Sequence, residues 1–161
     1  MTKVLIIGGG HAGANTAFAL RKDGFDGEIT IISNERYLPY HRPPLSKDFL
    51  KQNIAIEKLG FKSADFYEEQ KISINLNTQI DSIDLGSNLT ITKDASFYFD
   101  YLVFATGASP RLLSMENADS KNLFYLRQIT DVLSMHQQIT PDKEIVLIGG
   151  GYIGLEVASA M

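Results

Sequence analysis

The chain has 161 residues, 44% of them hydrophobic and 21% charged, with a formal net charge of −4 and no cysteine. This is globular composition with enough apolar material for a sizeable core, and its acidic balance gives no reason to expect nucleic acid or an anionic membrane surface as partner. Without cysteine there are no disulfides, thiolate metal sites or redox dithiols, and no apolar run approaches the roughly 20 residues of a membrane helix.

Met1, Thr2 and Lys3 lead straight into an apolar run with no signal-peptide pattern, so the expected location is cytoplasmic. Val4, Leu5, Ile6 and Ile7 are consecutive apolar residues, the pattern of a strand buried on both faces of a parallel sheet. Gly8, Gly10 and Gly13 follow on the G-x-G-x-x-G spacing of dinucleotide-binding folds. In that fingerprint Gly8 makes the tight turn, Gly10 lets backbone approach a pyrophosphate, and Gly13 permits close helix–strand packing. His11 and Ala12 sit inside the loop, where backbone matters more than side chain. Residues 12–20 form a small-residue helix whose first N–H groups would face phosphates, and Gly24 is placed to end it.

Residues 29–33 give a second parallel strand. Glu35 comes at about the 20-residue separation from the glycines that a ribose-binding acid takes. Its carboxylate would accept from ribose hydroxyls and repel a 2′-phosphate; taken alone, it is also an ordinary loop glutamate. The stretch 37–47 holds Pro39, Pro43 and Pro44, three of the five prolines, and reads as a stiffened loop. Arg42 and Lys47 bring positive charge to whatever it covers, or are solvated cations on a surface loop.

Three segments, GGGHAGA at the start, YLPYHRPPLSKDFL and the later LVFATGASPR, resemble the FAD-dependent NADH:ferredoxin reductases. These serve rubredoxin-, putidaredoxin- and oxygenase-type electron chains, within the glutathione-reductase-like flavoprotein superfamily. The resemblance covers the whole chain. Related disulfide reductases and peroxidases carry a redox cysteine in this region; its lack here points to the one-electron-donating reductases.

Further along, residues 46–50 and 63–70 read as helical and 72–76 as a third strand. Between 79 and 101 short alternating runs are separated by Gly86, Ser87 and Asn88 and by Lys93, Asp94 and Ala95, as in antiparallel hairpins. The resemblance makes this a three-stranded meander inserted into the parallel sheet. Residues 101–105 read as another buried strand, ending in Thr106 and Gly107. In the family this Ala-Thr-Gly backbone passes close to the flavin; by itself it is equally a strand-end turn. Residues 114–121 are a polar connection, and Ile129, Val132 and Leu133 have helical spacing. Met115 and Met135 read as packing residues. Arg127 alone is a solvated cation, whereas in the family an arginine there contacts FAD. His11, His41 and His136 are too scattered to suggest a metal site.

Pro141, Asp142 and Lys143 form a polar break and a candidate domain boundary. After it, Ile145, Val146, Leu147 and Ile148 read as a strand, and Gly149, Gly151 and Gly154 repeat the opening design. In the family this second loop opens an NAD(H) domain, and the glutamate matched by Glu156 lies near the flavin and pairs with the lysine matched by Lys47. Such a pair would orient the nicotinamide and tune the flavin; the bland alternative is a helix-surface acid favoured by the dipole. The chain stops mid-helix a few residues later, so it reads as a truncated piece. Its apolar strand would lack a sheet and be prone to pairing with another chain, so the expectation is homo-oligomeric association or docking elsewhere.

The expected fold is therefore α/β: a Rossmann-like parallel sheet with an inserted antiparallel meander. Residues 1–141 would be the first, incomplete part of an FAD-binding domain and 142–161 the start of an NAD(P)H-binding domain. The resemblance implies that FAD and NAD(P)H, NADH foremost, are the cofactors. Hydride would pass from nicotinamide to flavin, and electrons would leave singly to a ferredoxin- or rubredoxin-like acceptor. Lys47 and Glu156 are the implied catalytic pair. The implied cofactor-binding set is Gly8, Gly10, His11, Ala12, Gly13, Glu35, Arg42, Lys47, Ile80, Ala105, Thr106, Gly107 and Arg127, with Gly149, Gly151, Tyr152, Ile153 and Gly154 in the second loop. Monodehydroascorbate reductases and apoptosis-inducing-factor proteins share the loop, so they stand as alternatives, as does a non-catalytic nucleotide-binding fragment. For the chain as it stands, weak or no FAD retention and no turnover are expected.

Overall fold

A computed structural model describes residues 1–116, 120–140 and 142–161. Part of the polar connection at 114–121, and Pro141 of the expected boundary, lie outside the described residues. The chain divides into two compact units, Met1–Tyr40 with Gly60–Gly107, and His41–Leu59 with Ala108–Met161.

The first unit is built on a parallel sheet. Strand β1 (Lys3–Ile7) lies between β2 (Glu28–Ile32) and β7 (Tyr101–Phe104), and β3 (Ile72–Asn75) flanks β2 on the outside, giving the order β3-β2-β1-β7. Helix α1 (His11–Lys22) connects β1 to β2, and α2 (Ala64–Glu69) precedes β3. Period-2 alternation divides the apolar residues between the two faces. One face packs Val4, Ile6, Ile29, Ile31 and Ile72 with Ala17 of α1 and Tyr67 of α2. The other packs Leu5 and Ile32 against Phe99, with Ile80, Ile83 and Phe97. Those last residues belong to the expected meander, β4 (Ile80–Asp84), β5 (Leu89–Thr92) and β6 (Ser96–Tyr98), paired antiparallel. Asp84 organises its first turn: Oδ1 accepts from the Gly86 and Ser87 N–H groups, and Oδ2 from the Ser87 hydroxyl.

Helix α1 ends as its sequence suggests. Gly24 takes φ +86°, its N–H donates to Arg21 O at 3.1 Å, and the Phe25 N–H donates to Leu20 O at 2.9 Å. This is the Schellman pattern, which needs a left-handed residue at Gly24. The Arg21 guanidinium then donates to four carbonyls, those of Phe25, Gly27, Gln70 and Lys71, at 2.7–2.9 Å. It ties the end of α1 to the end of α2.

In the second unit a 3-10 turn at Pro43–Ser46 is followed by hydrogen-bonded turns, with a second 3-10 turn at Ile56–Leu59. Helix α3 (Ile129–Gln138) buries Ile129, Val132 and Met135, and α4 (Tyr152–Ala160) buries Val157.

Four expectations need correction. Residues 46–50 are not a helix: the helical turn lies earlier, because Pro43 and Pro44 start it and Lys47 leaves helical geometry at φ −128°, ψ −114°. Strand β7 is not buried. It has one neighbour in the sheet, and Tyr101 and Phe104 are 64% and 63% exposed. Residues 145–148 form no strand, since no described residue pairs with them, and Val146 is 85% exposed. Met135 is a packing residue, but Met115 is exposed. Among the described residues no helix is long and apolar enough to cross a membrane.

Candidate functional site

The first unit gathers the opening glycine loop, Glu35 and the end of β7. Gly8 has φ +116°, a backbone region open to glycine. Its N–H donates to Ile32 O and the Ala105 N–H donates to Ile7 O, both at 2.8 Å, so the loop is registered against both neighbouring strands. A Cβ on Gly8 would collide with the Ala105 carbonyl, and one on Gly13 would collide with the Gly8 carbonyl. Gly10 caps α1 in extended conformation, and the Ala14 N–H closes the first turn on Gly10 O at 3.0 Å. Helices leave their first N–H groups without intrahelical acceptors, and the first turn of α1 carries no acidic residue. A diphosphate placed here would meet donors and a favourable dipole, with no like charge in that turn. The residues fit the pyrophosphate of a dinucleotide.

Glu35 follows β2. Its N–H donates to Ser33 Oγ at 3.2 Å, and Oε2 accepts from the Tyr40 hydroxyl at 2.5 Å. Tyr40 is buried, so it fixes where the carboxylate points. Sequence reasoning missed Tyr40; the spacing of five residues across an irregular loop carries no signal. His11 starts α1, and its ring has a contact of its own. It packs edge-on against Phe61, with centroids 4.7 Å apart. Ile80 is half-buried and packs with the core beneath the sheet. Thr106 and Gly107 are exposed, and Gly107 turns at φ +68°.

The second unit gathers Arg42, Lys47, Arg127 and Glu156. The Asp131 carboxylate accepts from the N–H groups of Gln128 (2.7 Å) and Arg127 (2.8 Å), a capping interaction at the start of α3. Arg42 then donates to the Arg127 carbonyl at 2.8 Å. The two arginines are joined through this backbone contact, and Arg127 is half-buried rather than fully solvated. Lys47 Nζ lies 3.2 Å from Glu156 Oε1. Ser46, not among the expected site residues, donates to Glu156 Oε2 at 2.5 Å. The Ser46 hydroxyl and then the Lys47 ammonium hold the Glu156 carboxyl below its usual range. Glu156 lies beyond the first turn of α4, so the helix dipole is not its main partner.

The second glycine loop copies the first. Gly149 has φ +111°, Gly151 caps α4 in extended conformation, and the Leu155 N–H closes on Gly151 O at 3.1 Å. A Cβ on Gly154 would collide with the Gly149 carbonyl, as one on Gly13 would with Gly8. Tyr152 and Ile153 are exposed. Among the described residues no group of three His, Cys, Asp or Glu is arranged to hold a metal.

Comparisons with known proteins agree with this geometry. Rubredoxin-NAD(+) reductase of Pseudomonas putida is 44% identical over 158 residues, covering 98% of this chain and 41% of that protein. Putidaredoxin reductase in its covalent complex with putidaredoxin superposes with TM-score 0.92 at 37% identity, over 99% of this chain and 39% of that one. The ferredoxin reductase of the CYP199A2 system from Rhodopseudomonas palustris gives TM-score 0.93 at 37% identity, over 99% and 40%. The chain thus spans about two fifths of the length of these relatives. The model for pyridine nucleotide-disulphide oxidoreductases matches residues 2–161, and the chain belongs to that family.

Proposed function

We propose that this chain is the FAD-binding portion of a flavoprotein oxidoreductase that passes electrons from NAD(P)H through FAD to a ferredoxin- or rubredoxin-like acceptor. The observation that carries this reading is the pair of glycine turns, in each of which the third glycine lies against the carbonyl of the first. One dinucleotide loop suits one nucleotide; two suit a donor and a resident cofactor. Residues 1–141 are read as the first part of the FAD domain and 142–161 as the start of the NAD(P)H domain.

Gly8, Gly10, His11, Ala12 and Gly13 would hold the FAD pyrophosphate with backbone, and Glu35, oriented by Tyr40, would accept from the ribose hydroxyls. Ile80, Ala105, Thr106 and Gly107 would line the cofactor, and Arg42 and Arg127 would supply positive charge. Gly149, Gly151, Tyr152, Ile153 and Gly154 would receive the nicotinamide dinucleotide. Bound FAD supplies the two-electron to one-electron conversion that no side chain can provide. Lys47 and Glu156 would present a fixed ammonium–carboxylate pair to the nicotinamide and the flavin ring. The names of the relatives, among them rubredoxin, putidaredoxin and ferredoxin reductases, support a ferredoxin- or rubredoxin-like acceptor. A cytoplasmic location with neither nucleic acid nor membrane as partner fits the acidic composition, and the exposed stretch at 145–148 favours association with a second copy. That same unpaired stretch favours one second reading, a non-catalytic nucleotide-binding fragment.

A chimera separates the two. The chain replaces the matching 158 residues of the P. putida rubredoxin-NAD(+) reductase, and flavin bleaching by NADH is followed without oxygen. Bleaching that slows on Lys47→Ala is the expected result. A folded, yellow chimera that NADH does not bleach contradicts the reductase reading.

A further inference from the structure

Ser46 ends the 3-10 turn and is 4% exposed. Its hydroxyl has a local acceptor available, the Pro43 carbonyl at 3.4 Å, the usual outlet for a serine at a turn. The short contact goes elsewhere, to Glu156 Oε2. The next residue, Lys47, takes the other oxygen, Oε1. Two adjacent residues thus grip both oxygens of one carboxylate from opposite ends.

The two grips are unequal. The Lys47 and Glu156 side chains are 49% and 32% exposed, and a lysine on a flexible stem in contact with water fixes geometry poorly. Ser46 has one χ angle, a buried position and an anchored backbone: the following N–H, that of Lys47, donates to Pro44 O at 3.0 Å. A charge-assisted hydrogen bond from such a donor is both short and directional. Around this carboxylate, α4 carries no other charged residue, and the 3-10 turn is flanked by Arg42, Lys47 and Asp48.

We propose that Ser46 is the positioning residue of the Lys47–Glu156 pair: its buried hydroxyl sets the rotamer of Glu156 and thereby the place of the Lys47 ammonium. The consequence for electron transfer rests on the function proposed above; the geometric claim does not. Ser46→Ala leaves Glu156 held by the exposed lysine alone. Ser46→Thr keeps the hydroxyl.

The test is a carbon-13 NMR titration of the Glu156 side-chain carboxyl in the full chain, assigned with Glu156→Gln. In the natural chain the midpoint lies below the ordinary carboxylate range. Ser46→Ala moves it upward at least as far as Lys47→Ala does, and Ser46→Thr returns it toward the natural value. An unmoved midpoint in folded Ser46→Ala overturns the proposal. A second measurement needs no variant: the Ser46 hydroxyl proton is protected from exchange above the Glu156 midpoint and loses protection below it, and free exchange at both pH values also overturns the proposal. In the flavin-loaded chimera, Ser46→Ala lowers the limiting rate of bleaching several-fold with NADH affinity retained, and Ser46→Thr recovers it. A shifted midpoint with an unchanged rate would remove Ser46 from the reaction. Failure of the unmutated chimera to bleach would instead refute the preceding reading, leaving the titration to decide on Ser46.

Discussion

Gly13→Ala tests the architecture of the opening loop. The added Cβ is driven into the Gly8 carbonyl and comes within 3.2 Å of Ile6 Cγ2, in a buried part of α1. Overpacking of this kind costs about 1–3 kcal/mol. Alanine is the better helix former by about 0.5–1 kcal/mol, so the net loss is about 1–2 kcal/mol. For a chain of 161 residues each kcal/mol lowers Tm by about 2–4 °C, giving a fall of about 2–8 °C. The assay is thermal unfolding by circular dichroism, with urea titration as a check on the slope. Gly150→Ala is the control, because nothing lies within 4 Å of its added Cβ. Gly24→Ala is a second, since its position is also open and its φ of +86° isolates backbone strain. Equal Tm values for Gly13→Ala and Gly150→Ala would refute the close approach of helix to loop.

Three other outcomes follow from the same structure. Tyr67 is 3% exposed, its hydroxyl has no hydrogen-bond partner among the described residues, and burial pushes the phenol up to about 12. The unfolded chain ionises near 10, so the folded state binds this proton more tightly and stability falls as pH rises from about 10 to 12, by roughly 3 kcal/mol in all. Absorbance at 295 nm should give one late phase coincident with unfolding, and Tyr67→Phe should remove that phase. Arg21→Ala strips four carbonyls of their shared donor, and a loss on the order of 3 kcal/mol is expected from urea unfolding; a loss below 1 would mean that water replaces the guanidinium. The exposed apolar stretch around Val146 should drive concentration-dependent association in sedimentation velocity, weakened by Val146→Lys, whereas a monodisperse monomer at all concentrations would count against it.

Much of this was legible because local patterns coincided with long-range ones. The apolar run at 4–7, the glycines and the small-residue helix are one continuous stretch, so spacing alone located the loop. Gly24 announced the end of α1 for the same reason. Strand β7 was misjudged because an apolar run does not reveal how many neighbours a strand has; burial depends on sheet order, which is non-local. Residues 145–148 show the same limit, since strand propensity without a pairing partner yields no strand. The site was partly hidden for another reason. Ser46 and Glu156 meet across 110 residues, as do Arg42 and the Arg127 carbonyl across 85, and such contacts leave no periodic trace in the sequence. The Lys47–Glu156 pair came from resemblance, and the geometry supplies the contact.

In the proposed function the opening loop, with Glu35, holds FAD. Equilibrium titration of added FAD onto the purified, flavin-stripped chimera, read by quenching of flavin fluorescence, tests it most directly. Saturable binding that is weakened by Gly8→Ala and by Glu35→Ala, and unaffected by Gly150→Ala, is the predicted result. No saturable binding by the folded chimera, or binding indifferent to Gly8 and Glu35, would contradict it.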